Sequence, residues 1–163
     1  MIVISDTSSI SNLAAVNQLA LLKQLYGTVL IPDAVHEELA SSPALRGNKP
    51  LDAYNWIQVR SVNDSTLVNE CLGELDIGES EAIALALEME ADLLLVDETD
   101  ARRVAKRKGL KRTGILGVLT EAKSRGLVDE VRPIIYALKN QADFWLSESL
   151  CNEVLHSVGE SSL

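Results

Sequence analysis

Four carboxylates stand out by position in this chain of 163 residues. Asp6 follows the apolar run Met1–Ser5, and Asp97 follows the run Leu93–Val96. Glu38 and Glu79 fall in the opening turns of two segments with helical patterning. Oxygen donors of this kind suit hard divalent cations such as Mg²⁺ or Mn²⁺. One or two such ions can activate water and offset phosphate charge during in-line displacement. Without a cation, like charges brought this close are costly. Other metal chemistry is poorly supplied. The two histidines, His36 and His156, and the two cysteines, Cys71 and Cys151, are too few and too scattered for a zinc site. Both cysteines read as reduced, buried thiols.

Helical phase separates the candidate glutamates from their neighbours, at about 100° per residue. With Val35 as the core-facing reference, Glu38 lies at the edge of the apolar stripe and Glu37 points away. In Gly78-Glu79-Ser80-Glu81-Ala82-Ile83, Glu79 shares a face with Ala82, Ile83 and Ala86. Glu81 lies toward Glu88 and reads as solvated. Each acid also has a plain structural reading. Asp6 can cap the following helix, and Glu38 can be an ordinary surface residue. Glu79 can complete a capping box with Asp76. Asp97 can cap a helix that starts near Asp100. The joint placement of the four is the signal, more than any one of them.

The elements that must hold these acids alternate between strand and helix. Short apolar runs at Met1–Ser5, Thr28–Ile31 and Ala91–Val96 read as buried parallel strands. Trp56–Val59 reads as an edge strand and Leu110–Thr113 as a weaker one. Between them, Ser8–Leu25 reads as one helix. Asp33 is the expected N-cap of a helix over Ala34–Ala40. Ser41–Asp52, with Pro43, Gly47, Asn48 and Pro50, reads as a loop. Asp76–Ala91 reads as a strong helix. Thr99 or Asp100 caps a helix that runs to Lys108 and ends at Gly109. Ile115–Arg125, Val131–Leu138 and Leu146–Val158 read as further helices. This alternation predicts right-handed βαβ units in a parallel sheet covered on both faces. In such sheets the site lies beyond the carboxyl ends of the strands, where Asp6 and Asp97 stand. The expected organisation is one domain over 1–163, with C-terminal helices from about 131.

Several segments resemble successive motifs of the PIN-domain family, in the subgroup related to prokaryotic VapC-type toxins. They are Asp6-Thr7-Ser8-Ser9, Ile31-Pro32-Asp33-Ala34-Val35-His36-Glu37-Glu38-Leu39, Gly78-Glu79-Ser80-Glu81-Ala82-Ile83-Ala84-Leu85-Ala86, Ala91–Glu98 and Thr113–Leu119. The match runs from Met1 to roughly Gly126. The resemblance implies a three-layer α/β/α fold and Mg²⁺- or Mn²⁺-dependent ribonuclease chemistry. It also implies frequent homodimers and often a small antitoxin partner. In many PIN domains the fourth strand ends in Thr or Ser followed by an acid, whereas this chain reads Asp97-Glu98-Thr99-Asp100. Asp97 is favoured for the fourth metal position, with Asp100 second.

Composition qualifies this expectation. The net charge is -9, unlike the basic footprint of most nucleic-acid binders. Cation binding would offset part of it, and the bases cluster in Arg102, Arg103, Lys106, Arg107, Lys108, Lys111 and Arg112. Arg102 and Arg103 are candidate contacts to RNA phosphates, or else complements to a helix C-terminus. Thr7 and Ser8 are candidate substrate contacts, or else turn residues. His36 reads as solvated. The N-terminus lacks a basic n-region, and the apolar stretches are too short to span a bilayer, so a cytoplasmic protein without membrane attachment is expected. Rival functions fit less well. An aspartyl-nucleophile phosphatase needs an acid where Ser8 stands, and a phosphorelay receiver needs adjacent acids at Ser5-Asp6-Thr7. The remaining rival is a PIN-like fold kept as a catalytically inactive protein-interaction module.

Overall fold

Five short strands form one parallel sheet in a computed structural model that describes residues 1–46, 49–142 and 144–163. The strands are β1 (Val3–Ser5), β2 (Val29–Ile31), β3 (Ile57–Val59), β4 (Leu93–Leu95) and β5 (Arg112–Thr113), in the order β3-β2-β1-β4-β5. Every pairing is parallel, with Ile4 opposite Leu30 on one side and Leu94 on the other. The strand order reverses between β1 and β4. The carboxyl ends of those two strands therefore border the crevice that open α/β sheets use for binding.

Side-chain alternation divides the core into two. Val3, Val29, Ile31, Leu93 and Leu95 point into one apolar cluster. Ile4, Leu30, Leu94 and Val96 point into the other. Helices α1 (Thr7–Ala15), α2 (Ala20–Tyr26), α8 (Ile115–Ser124), α9 (Arg132–Gln141) and α10 (Glu148–Ser157) cover the first face. Helices α5 (Ser65–Leu72), α6 (Ile77–Glu88) and α7 (Thr99–Arg107) cover the second. Strands buried on both faces read as continuous apolar runs, which explains the sequence pattern. The expected three-layer α/β/α sandwich is the fold observed. Cys71 and Cys151 are buried free thiols.

Several boundaries differ from expectation. Ser8–Leu25 is two helices. Asn17 adopts a left-handed conformation with φ 58°, and its N–H donates to Ala14 O at 3.2 Å. The Gln18 N–H donates to Leu13 O at 2.9 Å. These paired bonds close α1 as a Schellman motif, which apolar spacing does not reveal. Helix α3 (Asp33–Ala40) starts one residue early, with Pro32 at the N-cap and Asp33 inside the first turn. The stretch expected as a loop contains α4 (Pro43–Arg46) and a 3₁₀ turn at Leu51–Ala53; Gly47 and Asn48 lie outside the described residues. Glu98, not Thr99 or Asp100, occupies the N-cap position of α7. The far end of α7 is as expected, with Gly109 left-handed at φ 78°. Helix α5 escaped the sequence reading. Its N-cap is Asp64, and Glu88 of α6 accepts the N–H groups of Asn63 and Asp64.

Candidate active site

Asp6 is the fixed point of the site. It leaves the carboxyl end of β1, and its own N–H donates to Leu95 O of β4 at 3.1 Å. Its side chain caps α1, with Oδ1 accepting the Ser9 N–H at 2.9 Å and Oδ2 accepting the Ser8 hydroxyl at 3.3 Å. The capping role is therefore real and coexists with the site. Only 1% of the residue is exposed. Burial pushes its pKa up to about 7; the Ser9 N–H opposes the shift, and the charge of Asp97 adds to it.

Asp97 leaves β4 beside it. Its Oδ2 accepts the Ser9 hydroxyl at 3.1 Å and its Oδ1 accepts the Ile115 N–H at 2.9 Å. Ser9 thus bridges the two acids, giving its N–H to one and its hydroxyl to the other. Asp97 caps α8, not the helix after Asp100. Burial holds its carboxyl above the usual range. Gly114 makes room for this arrangement, since a Cβ there would lie 2.5 Å from Asp97 Oδ1 and 2.8 Å from an Arg102 nitrogen.

Two helices bring the glutamates in. Glu38 Oε2 accepts the Thr7 hydroxyl at 2.6 Å, which ties α3 to the start of α1. Gly78 lets it pass, because a Cβ there would lie 2.5 Å from Glu38 Oε1. Glu79 completes the capping box of α6. Its N–H donates to Asp76 Oδ1 at 2.8 Å, and its own carboxylate accepts the Asp76 N–H. It also faces the site. Its pKa rises to about 7, first through burial, then through Asp76, with Asp6 and Glu98 contributing. Glu81 is not simply solvated as expected. It accepts the Ala34 N–H at 3.1 Å and so caps α3 from outside that helix. An α3 with proline at its N-cap lacks a capping side chain of its own, and Glu81 supplies one.

Asp6, Glu38 and Glu79 line one pocket of about 420 Å³, together with Thr7 and Ser8. Glu98 and Asp100 join them from the β4–α7 link. Asp97 does not line this pocket; it opens on a neighbouring groove with Thr99. The backbone is extended at Glu98 (φ -61°, ψ 135°), which sets Asp97 and Glu98 on opposite sides, and Thr99 and Asp100 diverge as the first two residues of α7. Ser11 and Asn12 also line the pocket and were missed. Their signal was available, since Ser8, Ser11 and Asn12 are spaced i, i+3, i+4 and so share one face of α1, apart from Ile10, Leu13 and Ala14.

Part of the basic segment is engaged within the protein. Arg103 pairs with Asp100 at 3.0 Å, Arg107 with Glu74 at 2.7 Å and Lys108 with Glu70 at 3.4 Å. Arg102 donates to Val96 O at 3.3 Å and lines the groove, not the acid pocket. Three of the seven bases thus answer nearby acids: Glu70 of α5, Glu74 just beyond it and Asp100 of α7. His36 lies 3.6 Å from Asp52, away from the pocket.

The donor set fits a hard divalent cation. It consists of oxygens, and two of its carboxyls are held near pKa 7 by burial and neighbouring acids, where a cation would favour ionisation. Among the described residues, however, no three acids, histidines or cysteines already converge on one point. The acids ring a cavity, and side-chain rotation of the longer ones toward Asp6 is needed to close a coordination sphere.

Comparison with known proteins agrees with this architecture. Over residues 2–160 the chain matches the model of a protein family described as a PIN domain. Among solved structures, it is similar to a PilT N-terminus domain protein from the hyperthermophilic archaeon Sulfolobus solfataricus P2. The TM-score is 0.56 at 22% identity, covering 75% of this chain and 93% of that one. At that identity the likeness concerns the fold. No curated protein matches the chain.

Proposed function

The chain belongs to the PIN-domain family, and on that premise we propose that it is a metal-dependent endoribonuclease hydrolysing RNA phosphodiester bonds. PIN domains are generally nucleases that use divalent metal. The observation that carries the reading here is the buried Asp6 at the β1–β4 switch point, facing a pocket ringed by other acids. Mg²⁺ or Mn²⁺ is the proposed ion, held by Asp6, Glu38 and Glu79 with a fourth carboxylate from Asp97–Asp100. Pocket lining favours Asp100 for that place over Asp97. Asp97 then serves through Ser9, holding the start of α1 and hence the Asp6 carboxylate. A divalent ion bound there supplies Lewis acidity toward phosphate and water. Thr7 and Ser8 orient the phosphate or the acids, while burial limits water around the Asp6 carboxylate.

We further propose that the protein works as a homodimer in the cytoplasm and is restrained by a small antitoxin. Family membership supports that setting, and among the described residues no helix is long and apolar enough to cross a membrane. The test is incubation of purified protein with a mixed single-stranded RNA pool in Mn²⁺, Mg²⁺ or EDTA. Cleavage that needs Mn²⁺ or Mg²⁺ is expected. Cleavage insensitive to EDTA would exclude the metal mechanism. Intact RNA under every condition would favour the catalytically inactive interaction module.

A further inference from the structure

On the far side of the Asp97–Asp100 link lies a groove of about 460 Å³. That volume is in the ordinary range for ligand sites, ~300–1,000 Å³. Arg102, Thr113, Gly117, Trp145, Leu146 and Leu150 line it. Trp145 is 85% exposed and Leu150 41% exposed. Beside Leu146 and Leu150 this indole leaves an apolar face open and rimmed by polar residues, the composition of a binding surface. The floor is polar, since Asp97, Thr99, Arg102 and Thr113 reach it. A purely apolar partner would bury those groups without hydrogen bonds, at a substantial penalty. A nucleobase meets both demands, with a flat face for the indole and polar edges for the floor.

We infer that this groove seats one unpaired base of the RNA substrate, stacked on Trp145, with Arg102 holding an adjoining backbone phosphate. The inference rests on the proposed nuclease reading, because the groove and the acid pocket share the Asp97–Asp100 link as a common wall. A single strand crossing that wall presents a phosphate to the acids and a neighbouring base to the groove. Stacking tolerates any base, so Trp145 would contribute affinity and register, and sequence choice would come from the base edges. Arg102 has the planar, multi-donor geometry that suits phosphate, and one of its donors is engaged with Val96 O.

Fluorescence tests this directly. The chain has two tryptophans, and Trp56 is buried. In a Trp56→Phe variant Trp145 is the sole indole. It is titrated with single-stranded oligoribonucleotides, once in EDTA and once in Ca²⁺, and with an abasic ribose-phosphate oligomer. Expected is quenching by the base-bearing strands and little by the abasic one. Trp145→Ala should weaken binding roughly tenfold, and Trp145→Phe should restore most of it. Arg102→Gln should lower the salt dependence of binding by about one phosphate contact. No quenching in either condition overturns the inference, as does equal quenching by the abasic strand or failure of Phe to restore affinity. A Trp145 signal that follows protein concentration and ignores RNA also overturns it, pointing instead to a second copy on this face. RNA binding through Trp145 without cleavage on adding Mn²⁺ would sink the nuclease reading and leave the base site standing. Cleavage with a silent Trp145 would do the reverse.

Discussion

The two depressions that flank the Asp97–Asp100 link differ in almost everything except size. One is ringed by carboxylates, the buried Asp6 among them. The other is lined by Arg102 and Thr113 together with Trp145, Leu146 and Leu150. Four consecutive residues serve both, Glu98 and Asp100 on one side and Asp97 and Thr99 on the other. Charge along the sequence therefore says little about charge in either site. The extended backbone at Glu98 and the first turn of α7 sort the side chains, and residue type alone cannot do so.

The strongest way to break this contrast is at its buried end. Asp6→Asn keeps the shape and can still accept the Ser9 N–H, yet it removes the central charge. RNA cleavage should fall roughly a hundredfold or more, and metal affinity with it. The metal-free variant should remain folded and gain stability at neutral pH, on the order of 1–3 kcal/mol, because a buried charge has been removed. Retained cleavage with unchanged metal affinity would reduce Asp6 to a helix cap.

The link itself offers a paired test. Asp100→Asn should weaken metal binding about tenfold or more, read by calorimetry with Mn²⁺. Asp97→Asn can keep a hydrogen bond to Ser9 and to Ile115, so it should affect metal binding less. The opposite order would move the fourth ligand to Asp97 and redraw the boundary between the two depressions.

Glu79 and Glu81 sharpen the comparison within one helix. They differ by about 200° in azimuth, so they cannot face one metal. Glu79→Gln preserves the capping box, since Gln also accepts the Asp76 N–H, and should still lower cleavage about tenfold or more. Glu81→Gln keeps an acceptor for the Ala34 N–H and should leave cleavage nearly unchanged. It should lower stability by less than about 1 kcal/mol through the weakened cap on α3. Thermal melts and cleavage rates of both variants decide this, and an inactive Glu81→Gln would show that the helix phase is wrong.

The contrast also predicts a pH dependence of stability. Asp6 and Glu79 titrate near 7 in the folded chain, against 3.8 and 4.5 for the free groups. Between those values the native state binds more protons than the unfolded chain, so metal-free stability should fall as pH rises from about 4 to 7. Mn²⁺ should reverse the loss above pH 7 by favouring the ionised acids. A metal-free melting temperature that rises across this window would contradict the assigned burial of Asp6.

Much of the fold was legible because its signals are local. Runs such as Leu93–Val96 are apolar throughout because both sheet faces are covered, and Gly109 marks the end of α7 by its left-handed backbone. Asp6, Glu38 and Glu79 were readable as a pocket set, since strand ends and helical phase direct them. Helix α5 was not read although Leu67, Val68, Cys71 and Leu72 have helical spacing behind the Asp64 cap; it is short, and its start is anchored by Glu88 of α6, which is distant in sequence. The break at Asn17 was hidden for a different reason, since apolar spacing continues across it.

By itself, then, the sequence determined the layered α/β class, the order of its elements and an acidic site at the carboxyl ends of β1 and β4. Only the tertiary structure decided that Ser9 bridges Asp6 and Asp97, and that Glu81 caps α3 instead of meeting solvent. It also decided that Arg103, Arg107 and Lys108 of the basic segment pair with Asp100, Glu74 and Glu70, and that Trp145 lines a groove beside Asp97. The physical reason is the range of the forces involved. Periodicity and caps act within one element, whereas a hydrogen bond between Ser9 and Asp97 joins residues far apart in the chain, and nothing in either neighbourhood announces it.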